Sequence, residues 1–415
     1  MADFEVHIDL NGRTRPIGLA RTNCARGAET ILFEYDGAWL GDPERFSLEP
    51  ALVLTRGAFA PAAGLATFGS IGDSAPDTWG RRLMQRAERR LAERQGRAVG
   101  TLAESDYLLG VADETRLGAL RFRRVGDETF QASLQAGVPA LIELGRLLHI
   151  TERLLRDEET DEDLQLIFAP GSSLGGARPK ASVIDQHGHL SIAKFPKETD
   201  DYSMETWEAI ALRLASQAGI ATPHHDLIEI SGKGVLLSRR FDRDGAIRIP
   251  FLSAMAMMGA KDGDRGSYPE IVDALAQYGA QGKTDAHALY RRVVFNVLVS
   301  NVDDHLRNHG FLWLGKAGWS LSPAYDLNPV PTDLKARVLT TNIDLNEGTC
   351  SLDLLEAASG YFALTLAQAR TIIKEVATVT ATWRATAKAI GARSAEINRM
   401  ASAFEHDDLK RALAL

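Results

Sequence analysis

The stretch Ser300-Asn301-Val302-Asp303-Asp304-His305-Leu306-Arg307-Asn308-His309 constrains this chain more than any other. It follows the apolar run Val293-Val294-Phe295-Asn296-Val297-Leu298-Val299, which reads as core, and precedes Gly310-Phe311-Leu312-Trp313-Leu314, which reads as strand. Acids and amides placed between two core-forming segments are costly to bury unless they are paired or coordinated. Any fold adopted by the chain must therefore supply partners here, and the stretch is expected to carry chemistry. Ser322-Pro323-Ala324-Tyr325-Asp326-Leu327-Asn328 follows a short distance downstream.

Composition narrows the class. The 415 residues are 45% hydrophobic and 25% charged, the balance of a globular chain of two or three domains. No apolar run approaches the roughly 18 residues that span a bilayer, and Met1-Ala2-Asp3-Phe4-Glu5 is acidic where a secretion signal is basic and then apolar. A cytoplasmic location with no membrane partner is the expectation. The two cysteines, Cys24 and Cys350, form no CxxC pair, which argues against a disulfide framework or a zinc site. The net charge of −8 argues against broad binding to nucleic acid, which relies on many cationic contacts to phosphate. One locally basic segment, Arg81 to Leu91, reads as a helix with Leu83, Ala87 and Leu91 as its apolar stripe and arginines on solvated faces.

Along the chain, Phe4, Val6, Ile8 and Leu10 alternate before an Asn11-Gly12 turn, and Thr30 to Tyr35 reads as another strand. Ser74-Ala75-Pro76 launches the arginine-rich helix, which runs to about 95. Thr101 and Glu104 have capping-box spacing. A strand over 118–122, a helix from about 139 to 156 and an acidic run, Asp157 to Asp163, come next. The glycine-rich segment Ala169 to Lys180 leads into strands Ala181 to Ile184 and Leu190 to Phe195. A helix over 204–218 and strands over 227–230 and 234–238 complete a β-rich half. Beyond Arg243 the pattern is helical, at about 268–279, 285–301, 364–390 and 393–413.

Phosphoryl transfer from ATP needs a backbone cradle for phosphates, a lysine on them, an acid to steady that lysine, an acid near the attacking hydroxyl and oxygen ligands for Mg²⁺. All five occur here in kinase order. Gly175-Gly176, with Ala177, allows close approach of backbone N–H groups to phosphate. Lys194 sits on the following strand, and Glu208 lies on the next helix as its partner. Asp303 and Asn308 have the five-residue spacing of a kinase catalytic loop, which selects Asp303 over Asp304. Asp326 stands where kinases carry a metal-binding aspartate, since a hard cation prefers carboxylate and amide oxygen.

Ser172-Ser173-Leu174-Gly175-Gly176-Ala177-Arg178-Pro179-Lys180, Arg240-Phe241-Asp242-Arg243, the Asn301 to His309 stretch and Ser322-Pro323-Ala324-Tyr325-Asp326 together resemble the motifs of the HipA-like serine/threonine kinases, toxins of bacterial toxin–antitoxin modules. Gly72-Asp73-Ser74-Ala75-Pro76-Asp77-Thr78-Trp79-Gly80-Arg81 resembles the signature of that family's amino-terminal domain. The resemblance implies an α+β, two-lobed protein-kinase-like fold: an amino-terminal module (1–135), a β-rich lobe with the glycine-rich loop (136–243) and an all-helical carboxy-terminal lobe (244–415). By carry-over Asp303 is the catalytic acid, Asn308 and Asp326 hold Mg²⁺, and Lys194 contacts the ATP phosphates. His305 lies near those phosphates, and backbone around Arg239 to Phe241 meets the adenine. Ser173, with Ser172 as neighbour, is the expected autophosphorylation site. A phosphate there adds nearly two negative charges where ATP phosphates bind.

The expected partners are a protein substrate, such as an aminoacyl-tRNA synthetase, and a HipB-like helix-turn-helix antitoxin that brings the contact with operator DNA. Two other classes fit the same residues: a small-molecule phosphotransferase on a kinase-like scaffold, and a non-catalytic module that tethers an antitoxin to DNA. The glycine loop is not GxGxxG, and Asp326 is followed by Leu327-Asn328 in place of Phe-Gly, so the segment from about 327 to 350 has no template in ordinary kinases.

Overall fold

A computed structural model describes residues 3–25, 27–76, 78–132, 138–171 and 176–415. The chain divides into two compact units: residues 1–199 with 228–252, and residues 200–227 with 253–415. The fold is mixed α and β, β-rich in the amino-terminal region and helical in the carboxy-terminal region. No helix among the described residues is long and apolar enough to cross a membrane.

The first unit begins with a five-stranded sheet. Strands β1 (Phe4–Leu10), β2 (Arg13–Ala25), β3 (Ala28–Tyr35), β4 (Ala58–Phe59) and β5 (Leu120–Arg124) are arranged in the order β4-β3-β2-β1-β5. Asn11 and Gly12 both take positive φ, as a two-residue hairpin turn requires. Phe4, Val6, Ile8 and Leu10 are buried, and so are His7 and Asp9, so both faces of β1 are covered. Pro16 lies in a central strand without an N–H to donate, and the β1–β2 register shifts between Val6 and His7 beside it.

The second part of this unit is built on β6 (Lys180–Ile184), β7 (Leu190–Lys194), β8 (His225–Ile230) and β9 (Lys233–Arg239), in the order β6-β7-β9-β8. Its core joins Ala181, Val183, Ala193, Phe195, Val235 and Leu237 of the sheet to Leu144, Leu147, Leu148, Ile150 and Leu154 of the helix Leu144–Leu155. Trp79 and Leu83, from the helix Thr78–Gln95, belong to the same core.

The arginine-rich helix differs from its expected pattern. Leu91 is 39% exposed, and the buried residues are Trp79, Gly80, Leu83, Met84 and Ala92. Its arginines meet the acidic run, which opens the helix Asp161–Gly171: Arg86 pairs with Asp157 and Glu159, and Arg90 and Arg94 approach Asp161. The expected capping box at Thr101 does not form. Glu104 instead binds Arg81 through both carboxylate oxygens, and the helix Glu104–Leu109 is capped by Asp106, which accepts from the Ala103 N–H.

In the second unit, Trp207 of the helix Met204–Gln217 sits 6.2 Å from Trp383, and Trp383 stacks on Phe404 at 4.6 Å. The Trp207 indole N–H donates to Glu396. These rings seat the 204–217 helix among the carboxy-terminal helices. The expected helix over 364–390 is two, Leu366–Thr380 and Trp383–Ile390, and the one over 393–413 is three short helices. A hairpin of Gly310–Trp313 and Trp319–Leu321 adds antiparallel strands, so the carboxy-terminal region is largely helical and not all-helical.

Glu49, in the first unit, is buried with its Oε2 accepting the Ser70 N–H at 2.6 Å. Burial pushes its carboxyl up to about 7 from an ordinary 4.5. The folded state therefore holds a proton that the unfolded state releases, and stability present below about pH 4.5 is lost as pH rises through about 7. Between pH 5 and 8 the wild-type chain should lose on the order of 3 kcal/mol relative to Glu49→Gln. Urea denaturation across that range checks this; parallel profiles would contradict it.

Candidate functional site

The apolar run of the opening stretch forms the last turns of the helix Gly282–Val299, and every residue from Val293 to Val299 is buried. Ser300 ends the helix in the left-handed conformation, φ +56°, unusual for a residue with a side chain. Several bonds hold it there. Its hydroxyl donates to Ala403 O at 2.7 Å and accepts from Arg337 Nε at 3.0 Å, and Arg337 also caps the helix by donating to Val297 O. The chain therefore leaves the helix at a fixed angle into Asn301–His309.

Within that loop the two aspartates have opposite environments. The Asp303 side chain is 63% exposed, and its Oδ1 meets Lys335 Nζ at 3.2 Å. Asp304 is buried and its Oδ2 accepts three side-chain hydrogen bonds: from Tyr268 OH, from Asn296 Nδ2 at 2.9 Å and from His309 Nε2 at 2.8 Å. Burial and the Asp304 carboxylate push the Tyr268 hydroxyl well above its usual range, so it stays protonated and remains a donor. The loop backbone is fixed as well. Thr340 and Thr341 N–H groups donate to Val302 O and Asp304 O, both at 3.0 Å, and Tyr325 OH donates to Arg307 O at 2.6 Å. The donors at Thr340 and Thr341 come from the segment without a kinase template, which folds back on itself through Leu339 N–H to Gly348 O.

Asn301 links this loop to the second motif. Its Nδ2 donates to Asn296 Oδ1 and its Oδ1 accepts the Asn328 N–H, each at 3.0 Å. Asp326, two residues earlier, has φ +59°, and its Oδ1 accepts from Asn328 Nδ2 at 3.1 Å. Strained backbone of this kind persists only where surrounding bonds determine it. Buried Arg292 donates to Ser322 O at the start of the same motif; burial pushes its guanidinium down to about 10, so it stays charged at neutral pH. Asn308 is buried, its N–H donating to His305 O at 2.8 Å, and His305 Nδ1 is buried with no hydrogen-bond partner among the described residues. The Asn308 amide and Asp326 carboxylate are hard oxygen donors of the type Mg²⁺ takes, with phosphates and water completing its shell. A buried ring nitrogen of this kind in the same loop fits a bound polar ligand.

In the first unit, Lys194 ends β7, opposite Lys180 on β6 and Leu236 on β9. Arg239 lies opposite Ser191, the Arg240 N–H donates to Leu190 O, and the Phe241 ring is 6.2 Å from that of Phe251. Gly176 has φ +87°, and Gly176 and Ala177 are exposed. Ser172, Ser173 and Gly175 lie outside the described residues. Glu208, on the helix Met204–Gln217 of the second unit, is buried. The second unit thus contains Asp303, His305, Asn308 and Asp326, and the first contains Gly176, Ala177, Lys194, Arg239 and Phe241. Sequence reasoning missed Tyr268, Asn296 and His309 as partners of Asp304. One signal was available: Asn296 is the single amide in an otherwise apolar run.

The family model for the HipA-like C-terminal domain matches residues 172–383. The chain belongs to the HipA-like family. A Haemophilus influenzae protein named "Putative kinase" is 24% identical over 198 residues, 41% of this chain and 57% of that relative, so the match spans little more than half its length. A Sinorhizobium fredii protein of the same designation, Y4mE, is 25% identical over 331 residues, covering 72% of this chain and 71% of the relative. Among solved structures, the Shewanella oneidensis MR-1 complex of HipA, HipB and its operator DNA matches with a TM-score of 0.65 at 17% identity, over 99% of this HipA-like chain and 96% of that one. That likeness establishes the shared fold.

The Asp304 cluster makes a direct prediction. Tyr268→Phe should cost about 1–2 kcal/mol of stability, and Asp304→Ala about 3–5 kcal/mol, because it strands three buried donors and the Arg292 charge. Chemical denaturation measures both; equal, small losses would contradict the assignment of Asp304 as the common acceptor.

Proposed function

We propose that this HipA-like chain is an ATP- and Mg²⁺-dependent serine/threonine protein kinase that acts as a toxin. The observation that carries the reading is the second unit's loop: a buried Asp304 whose Oδ2 accepts three side-chain bonds, beside an exposed Asp303, five residues before a buried Asn308. That is the arrangement a phosphotransferase needs, with one acid presented to a substrate and its neighbour fixing the loop. Membership of the HipA-like family and the relatives named as kinases support it.

On this reading Asp303 orients the acceptor serine or threonine and takes its hydroxyl proton as the oxygen attacks the γ-phosphorus and ADP leaves. Asn308 and Asp326 hold Mg²⁺, which would supply charge neutralisation on the phosphates. Lys194, steadied by Glu208, contacts those phosphates, with His305 nearby. Gly175, Gly176 and Ala177 cradle them, and the Arg239 to Phe241 backbone receives the adenine. The three-part division at 135 and 243 is retained as the functional organisation. The proposed autophosphorylation site is Ser173 or Ser172. The proposed partners are a HipB-like antitoxin, through which operator DNA is reached, and a protein substrate such as an aminoacyl-tRNA synthetase, within the cytoplasm. The HipA–HipB–operator DNA assembly of the Shewanella relative supports the antitoxin partner.

Incubation with Mg²⁺ and ATP followed by mass spectrometry tests the reading. Phosphate should appear on Ser172 or Ser173, and Asp303→Asn should reduce its rate at least about 100-fold. An Asp303→Asn chain that phosphorylates at the wild-type rate would overturn the assignment of the catalytic acid.

A further inference from the structure

The first unit contains both the sheet expected of an amino-terminal module and the sheet that carries Lys194, and two sets of hydrogen bonds tie segments flanking the first sheet to the second. The first set starts at Trp79, in the first turn of the arginine-rich helix Thr78–Gln95. Its backbone N–H donates to Gly176 O at 3.2 Å, and its indole N–H donates to Lys180 O at 2.9 Å. One residue thus clips both ends of the limb Gly176–Lys180, by which the glycine-rich segment enters β6. The ring is 4% exposed and packs in the core beneath β6, β7 and β9.

The second set lies around Asp242. Its Oδ2 accepts the Gly118 N–H at 2.7 Å, and Arg240 and Arg243 bind the same carboxylate. Burial alone would raise this carboxyl, but Arg240 and Arg243 hold it below the usual carboxylate range. The two arginines reach on to the carbonyls of Thr115, Arg116 and Gly118. Gly118 has φ +72°, and a Cβ there would come within 3.2 Å of Phe251 N, so the turn requires glycine. Arg116, fully buried, completes the set by donating to Ser74 O, Leu108 O and Val111 O.

We propose that the amino-terminal module is a working part of the nucleotide site: Trp79 positions the limb by which the glycine-rich loop returns to the sheet, and the 115–118 turn positions the Arg239–Phe241 segment through Asp242. The inference rests on the kinase reading, which places ATP against these two segments. It makes Trp79 and Asp242 positioning residues, and it gives any partner of the module a physical route to nucleotide affinity without touching nucleotide.

The test is calorimetric titration of the full chain with Mg²⁺ and the non-hydrolysable ATP analogue AMP-PNP. Trp79→Phe keeps the ring's bulk and removes the indole N–H, so binding should weaken about five- to tenfold. Leu83→Ala serves as the control, since Leu83 packs in the same core without a side-chain bond to the limb. Its affinity should change less than twofold despite a larger loss of thermal stability. Unchanged affinity in Trp79→Phe, or equal weakening by Leu83→Ala, overturns the inference while leaving the kinase reading intact. A wild-type chain that binds no AMP-PNP overturns both. Deuterium exchange on the wild-type chain requires no variant. AMP-PNP should slow exchange in peptides covering Trp79–Leu83 and Arg116–Gly118, and unaltered exchange in both would also overturn the inference.

Discussion

One buried carboxylate organises the second unit. Asp304 has no solvent to hydrate it, and an unpaired ion at that depth would cost several kcal/mol. Its charge is instead met by donors from three places: Tyr268, at the start of one helix, Asn296, near the end of another, and His309, at the entry to a strand. Each donor comes from an element that has its own reasons to be rigid. The loop between Ser300 and His309 therefore has few conformations available, and exposed Asp303 inherits a fixed position from its neighbour. The left-handed turn at Ser300 and the strained Asp326 are consequences of the same construction, since both are held by side-chain bonds to this network or its flanks.

The first unit solves a different problem with similar means. Three arginines and one aspartate, buried at the join between two sheets, would be destabilising singly, and only their mutual pairing and the carbonyls they reach make burial tolerable. Such a cluster tolerates little variation in geometry. Hydrophobic contacts of the helix Thr78–Gln95 with the second sheet, through Trp79 and Leu83, supply cohesion, whereas the charged cluster fixes orientation. A module attached in this way is a structural part of the unit, which is why it bears on the segments proposed to meet ATP.

Much of this was legible in the sequence, and the failures have physical causes. Alternation and turn residues located the amino-terminal strands, and the cost of burying polar groups singled out Asn301–His309 before any geometry was known. Spacing separated Asp303 from Asp304 but could not say what partners Asp304, because Tyr268 is 36 residues away and reads as an ordinary aromatic. Helical period alone places Leu91 on the apolar stripe; the neighbouring sheet instead covers the face bearing Trp79 and Leu83. The Thr101 cap failed because Glu104 found a better partner in Arg81, a tertiary ion pair that no local rule anticipates. The long carboxy-terminal helices were broken where a continuous helical period conceals short turns, as at Ala381 and Thr382.

The proposed function makes Asn308 and Asp326 the metal-binding end of a nucleotide site beside Asp303. Crystals of the chain grown with AMP-PNP and Mn²⁺ in place of Mg²⁺ test it through the anomalous signal of the metal. A peak is expected about 2 Å from the Asn308 amide oxygen and an Asp326 carboxylate oxygen, with the analogue's phosphates on its other side. Bound nucleotide with manganese held away from both residues would contradict it.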